Sequence, residues 1–197
     1  EDIQYILEKF QIPESFLSDI ADTDERPRIE YEGNWLLTIL RLPIINKSSD
    51  IPFATVPIGI ITNEDIIISV CYYQTELVPD FIRYTRRKEV VVKNKYDLIL
   101  RLIHSSAVWY LKYLKQINAE VAQAEKALEK SIRNEDLLHL MNMEKSMVYF
   151  NTSIRGNEVM LAKLQNIFQG PKYIDKELIE DVEIELRQAH LTVNIYS

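Results

Sequence analysis

The chain has 197 residues, 47% of them hydrophobic and 27% charged, with 23 Lys and Arg against 30 Asp and Glu for a net charge of −7. That balance describes a soluble globular chain with a sizeable core, and it excludes an electrostatic attraction to nucleic acid. No apolar run reaches the roughly 18–20 residues of a membrane-crossing helix, and no stretch has the pattern of a secretory signal.

Residues 1–92 read as mixed α and β. EDIQYILEKF places Ile3, Ile6, Leu7 and Phe10 on one helical face, and IPESFLSDIAD starts a second short helix with Pro13 in its first turn. A charged elbow, DTDERPRIEY, then leads into NWLLTILRLPI, FATVPIGIIT and DIIISVCYY, three strand-like runs rich in Ile, Val, Leu and Tyr. Asn63 and Glu64 separate the last two runs and predict a tight hairpin. Cys71, the single cysteine, falls in the third run, where a buried, inert thiol is expected. One thiol cannot form an internal disulfide, which suits reducing surroundings. ELVPDFIRYTRRKE predicts a helix with a solvated basic end.

From Lys93 the period changes. Leu100, Ile103, Ala107, Tyr110, Leu114, Ile117, Val121, Ala124 and Leu128 alternate spacings of three and four, which predicts one long helix with a narrow packing stripe. SIRNED interrupts it. A second seam follows at Leu140, Met143, Met147, Phe150, Ile154, Asn157, Leu161, Leu164 and Phe168, with Asn157 its only polar member. Two such helices on a short polar link predict an antiparallel hairpin over 93–170 that projects from the α/β part. Gly170 and Pro171 stop it. A last helix, within 171–197, carries Ile179, Val182, Leu186, Ala189, Val193 and Tyr196 on one stripe. The chain starts at Glu1 and stops while that stripe is still running, so a piece of a longer protein is expected.

Enzyme chemistry has little support. His104, His139 and His190 lack partners at metal-ligand spacing, and Gly33, Gly59, Gly156 and Gly170 form no phosphate loop. Asp175–Glu185 is an acidic run, with six acids against Lys176 for −5 over eleven residues. The helix dipole accounts for Asp175 and Glu177 at the N-terminus but not for Asp181 and Glu183 further on. A hard divalent cation would suit these carboxylates only if other oxygens converge on them; a solvated acidic face is the simpler reading.

QIPESFLSDIADTDERPRIEYEGNWLLTILRLP resembles the cytoplasmic domain of the CorA family of magnesium channels. VPIGIITNEDIIISV is similar to that family's next hairpin, YDLILRLIHSSAVWYLKYL to the start of its first long helix, and ELIEDVEIELRQAHLTVNIYS to the beginning of its stalk helix. The similarity runs in order over nearly the whole chain, and the ERPRIEY element with its flanks is its most specific part. It implies a layered α/β/α domain with a mixed sheet (1–92), the long antiparallel hairpin (93–170), and the base of a stalk helix leading to membrane segments outside this sequence (171–197). The family's Gly-Met-Asn pore signature and early strands are absent here.

The resemblance further implies a non-enzymatic role on the cytoplasmic face of the cell membrane, sensing a divalent cation and gating an ion channel as part of a homopentamer. By alignment of FLSDI and LIEDVEIEL, the regulatory cation falls between Asp19 of one subunit and Asp181 of the next. The family's second site is left unassigned, because its acidic positions fall at Ser18 and His104. Mg²⁺ is the expected ligand and cargo, with Co²⁺, Ni²⁺ or Zn²⁺ as alternatives within the superfamily. The piece itself is expected to be soluble and monomeric or weakly associated. A rival of another class is a soluble coiled-coil adaptor whose hairpin binds a partner helix.

Overall fold

A computed structural model describes residues 2–197. The chain runs α1 (Asp2–Phe10), α2 (Glu14–Ala21), β1 (Arg28–Glu32), β2 (Trp35–Ile45), β3 (Phe53–Thr62), β4 (Ile67–Val70), α3 (Leu77–Arg87), α4 (Lys95–Lys130), α5 (Asn134–Ile167), a 3₁₀ turn (Pro171–Tyr173) and α6 (Lys176–Tyr196). The expected α+β architecture with its long helical hairpin is present. No strand follows Lys93, and α4 and α5 run unbroken through Tyr110 and Ile154.

The strands form one sheet in the order β1-β2-β3-β4, antiparallel at every step. A mixed sheet is therefore not what these residues build. Each strand is joined to the next by a short connection, and a parallel pair needs a crossover of a dozen residues or more. The β1–β2 turn consists of Gly33 and Asn34, with Gly33 at φ +61°, a left-handed conformation that costs glycine little. The β3–β4 loop has four residues, not the two anticipated. Asn63 folds it by accepting the backbone N–H groups of Asp65 and Ile66 at 2.9 and 2.8 Å, an Asx turn that carries the chain past Glu64. Cys71 lies just beyond β4 and is half-buried, its thiol donating to the Pro57 carbonyl at 3.6 Å.

Strand alternation sends side chains to two cores. Trp35, Leu37, Ile39 and Ile61 meet Phe16, Leu17 and Ile20 of α2, with Ile6, Leu7 and Phe10 of α1 packed at the edge. Ile3, on the same face by spacing, is exposed. Gly59 brings α2 close: a Cβ there would stand 2.1 Å from Ile20 Cδ1. The opposite face, with Leu36, Leu40, Leu42, Val56, Ile58 and Ile60, packs on the hairpin. Tyr110, Tyr113, Phe150 and Phe53 form an aromatic cluster there, with ring centroids 5.0–6.5 Å apart.

Both seams are largely buried, although Val121, Leu128 and Leu140 toward the tip are only partly covered. The 36 residues of α4 span about 54 Å at 1.5 Å per residue. α6 lays Val182, Leu186, Ala189 and Val193 into the groove between α4 and α5.

Two prolines occupy the central strands. Arg41 pairs with Pro57, and Pro43 with Thr55. Asn157 accepts the Arg41 N–H at 3.0 Å and donates to the Arg41 carbonyl at 2.8 Å, so these groups point away from β3, past the end of β1. Pro43 has the same phase, and the N–H it lacks would face that gap. Pro57 faces the other way, past the end of β4, whose pairing stops at Gly59. Neither proline removes a ladder hydrogen bond.

Candidate functional site

Asp19 lies in the last turn of α2, at the elbow. There Arg28 gathers three carboxylates: Asp19, which accepts its Nη2 donor, Glu30 at 2.9 Å and Glu25 at 3.5 Å. Pro27 sets the φ of the turn and rests on α5 where Gly156 leaves room; a Cβ at Gly156 would stand 2.7 Å from Pro27 Cγ. The elbow thus ties α2, β1 and α5 together. Asp19 is a member of that network, paired with Arg28.

Asp181 lies in the second turn of α6, exposed, with no ion pair or side-chain hydrogen bond among the described residues. It lines a cavity of about 310 Å³ between α3, α4 and α6, together with Asp80, Arg101, His104 and Trp109. Asp80 accepts from Trp109 Nε1 at 3.3 Å and pairs with Arg83, while Arg101 is held by the buried Asp97 at 2.9 Å. His104, one of the positions set aside above, therefore shares a cavity with Asp181. Sequence spacing pointed to neither Asp80 nor Trp109 as neighbours. Alignment within α4 and α6 separately contains no signal for how the two helices pack.

The start of α6 is pinned. Asp175 caps it by accepting the Leu178 N–H at 3.1 Å, and it pairs with Lys93 at 2.9 Å. The Lys93 hydrogen bond and the Leu178 N–H hold the Asp175 carboxyl below the usual carboxylate range, and Asp175 in turn raises Lys93. Asn94 Nδ2 donates to the Lys172 carbonyl at 3.0 Å, so α4 and α6 start side by side. Further on, Gln165 meets Glu183, and His190 meets Glu158 at 2.9 Å. Of the six acids in the run, Asp175 and Glu183 thus have local structural duties.

One chain does not bring Asp19 and Asp181 together. α2 covers one face of the sheet, whereas α6 lies on the hairpin that covers the other. Among the described residues no group of three or more His, Cys, Asp or Glu side chains could hold a metal ion. Asp181 supplies a hard oxygen donor without a protein partner, which fits Mg²⁺; Asp19 would have to share its carboxylate between a cation and Arg28. No helix among the described residues is long and apolar enough to cross a membrane.

The chain belongs to the family described as CorA-like Mg²⁺ transporter protein, whose model matches residues 1–197. The fold is similar to the soluble domain of CorA from Methanocaldococcus jannaschii, at 19% identity and TM-score 0.84, covering 99% of this chain and 78% of that one. It is equally similar to the complete CorA magnesium transporter of that organism, at 20% identity and TM-score 0.83 over 98% of this chain. The chain spans 61% of the length of that transporter. The ZntB cytoplasmic domain from Vibrio parahaemolyticus shares the fold at 15% identity and TM-score 0.73, covering 99% of this chain and 77% of that one. No curated protein matches the chain in sequence.

Proposed function

We propose that this chain is the cytoplasmic divalent-cation-sensing and gating region of a CorA-like transporter, with 1–92 as its α/β part, 93–170 as its hairpin and 171–197 as the base of its stalk. The family match across residues 1–197 is the observation that supports this reading most. In it, a cation bridges Asp19 of one subunit and Asp181 of the next in a homopentamer. The separation of the two residues within one chain agrees with a shared site, and so does the unpartnered Asp181 carboxylate.

α6 also carries a second apolar stripe. Ile184, Leu191 and Ile195, spaced seven and four, are 52%, 57% and 78% exposed, beside the buried stripe that packs on the hairpin. Such a seam suits a second copy of the helix. The isolated chain, with this seam as its main contact, is monomeric or weakly associated in this reading.

A cation held between subunits only in the closed assembly shifts the population toward that state, and its loss releases α6. Mg²⁺ keeps much of its hydration shell, so two carboxylates suffice if waters complete the octahedron. When the site is empty, the two carboxylates repel across the interface.

The test is limited proteolysis of the full-length transporter with and without Mg²⁺. The wild-type protein is protected by at least about fivefold, the low end of typical allosteric coupling. Asp181→Asn and Asp19→Asn lose most of that Mg²⁺-dependent difference. Asp19→Asn also loosens Arg28, so the comparison is made within each variant, with against without Mg²⁺. Parallel titrations with Zn²⁺, Co²⁺ and Ni²⁺ rank the ions. If both variants keep the full wild-type difference, the two aspartates are solvated surface acids and the site lies elsewhere.

A further inference from the structure

β1 begins at Arg28, opposite Ile39, so the stretch of β2 from Arg41 to Ile45 has no strand beside it on that edge. The elbow stands on one side of the gap and the outer face of α5 on the other, leaving a groove of about 960 Å³. A further strand fits poorly here. Asn157 already occupies both backbone groups of Arg41, and Pro43 has no N–H to offer.

The groove offers a side-chain cation instead. The Arg41 guanidinium donates through Nε to Thr55 Oγ1 at 3.0 Å, through Nη1 to the Glu25 carbonyl and through Nη2 to the Thr55 carbonyl, both at 2.6 Å. All three acceptors are neutral. Arg28, Arg83 and Arg101 each meet a carboxylate; Arg41 forms no ion pair among the described residues. Burial pushes its pKa down, opposed by Tyr110, Asp24, Tyr73 and Asp22 at longer range. A partly desolvated cation with no carboxylate in direct contact is unfavourable, and two of the five guanidinium N–H donors remain unspent.

The rest of the groove sets the kind of anion. Its α5 wall presents Val148, Tyr149 and Val159, which are 60%, 44% and 54% exposed. Between them the Thr152 hydroxyl donates to the Val148 carbonyl at 2.9 Å and the buried Ser153 hydroxyl is bonded to Thr55 at 2.8 Å, so Arg41 is left as the donor facing the groove. Asp24 and Glu25 line the groove beside Arg26 on the elbow, so a polyphosphate would meet carboxylates as well as arginines. We propose that this groove binds a small amphiphilic monocarboxylate, its carboxylate on Arg41 and its apolar body against Val148, Tyr149 and Val159. The proposal is independent of Asp19, Asp181 and the cation they would share.

The test is calorimetric titration with 4-phenylbutyrate at constant ionic strength, on the 197-residue chain and on the full-length protein. One saturable site is expected in both. Acetate lacks the apolar body and neutral 4-phenylbutyramide lacks the charge, and each binds at least about tenfold more weakly, a loss of about 1.4 kcal/mol. Arg41→Gln loses binding by a similar factor. Because Arg41 also ties Glu25 to Thr55, a second variant separates fold from site: Thr152→Trp fills the groove from an exposed position, abolishing binding while the unfolding midpoint holds. The proposal is overturned by absence of saturable binding in either protein, by equal binding of the neutral amide, or by full binding in Thr152→Trp.

Discussion

Around Tyr110 and Phe150 the helical hairpin is covered by the sheet on one side and by α6 on the other, whereas around Val121 and Leu140 its two helices have only each other. The near end buries Trp109, Tyr110, Tyr113 and Phe150, while Ile132, Leu137, Leu138 and Met141 toward the far end are 79%, 42%, 55% and 53% exposed. The same three-and-four spacing runs through both. Periodicity states which face of a helix will pack; a third element decides how completely it does. Local opening should therefore begin at the tip and stop where Asn151 meets Asn194 of α6 at 3.2 Å.

The contrast is most easily broken by truncating one seam residue at each end. Phe150→Ala should cost about 3–5 kcal/mol in denaturant unfolding, as for a fully buried aromatic that cannot be replaced by collapse. Val121→Ala should cost about 1 kcal/mol or less. Equal losses would mean that the tip is as tightly packed as the base.

Asn157→Leu sharpens the same contrast inside the near end. The leucine is apolar and fits a seam position by pattern, yet it leaves the Arg41 N–H without its acceptor and its carbonyl with Tyr110 alone. A loss of about 1–3 kcal/mol is expected, the cost of an unsatisfied buried group. A stabilised variant would show that packing outweighs the backbone contact.

The smallest effect concerns pH. The folded Asp175 carboxyl titrates below its ordinary value, so its contribution is present above that value and lost as pH falls through the folded one. Lys93 is raised, so its share is present below the ordinary lysine value and lost as pH rises through the folded one. Protection of the amides in the first turn of α6, taken relative to the intrinsic exchange rate at each pH, should fall at both extremes, with that of the Tyr110–Phe150 layer unchanged between them. Protection that stays flat would show the tether to be solvated and idle.

Much of this was legible in the residues. The two seams, the stop at Gly170–Pro171, the helix α3 and the turn at Pro27 all follow from spacing and backbone chemistry. What escaped has identifiable causes. β1 is short, charged and at the sheet edge, so RIEYE lacks the apolar alternation of an inner strand, although the Gly33–Asn34 pair ahead of Trp35 was a hairpin signal in plain view. The β3–β4 loop grew because a side chain, Asn63, stood in for backbone pairing. Arg28 binding Asp19 is a contact between elements nine residues apart, and charge alone could equally have paired it with Asp22 or Asp24. The cavity beside Asp181 depends on how three helices pack, which no single stretch encodes.

The two prolines of the central strands act as a check on misalignment. In the observed register each stands where its missing donor is never asked for. Sliding β3 by one residue along β2 would turn one strand's other edge into the ladder and bring Pro43 or Pro57 into a donor position. A carbonyl opposite would be left bare, at a cost of about 1–3 kcal/mol, and one strand's side chains would change faces. The slipped hairpin is thus penalised while the sheet is still assembling, before either core has closed over it.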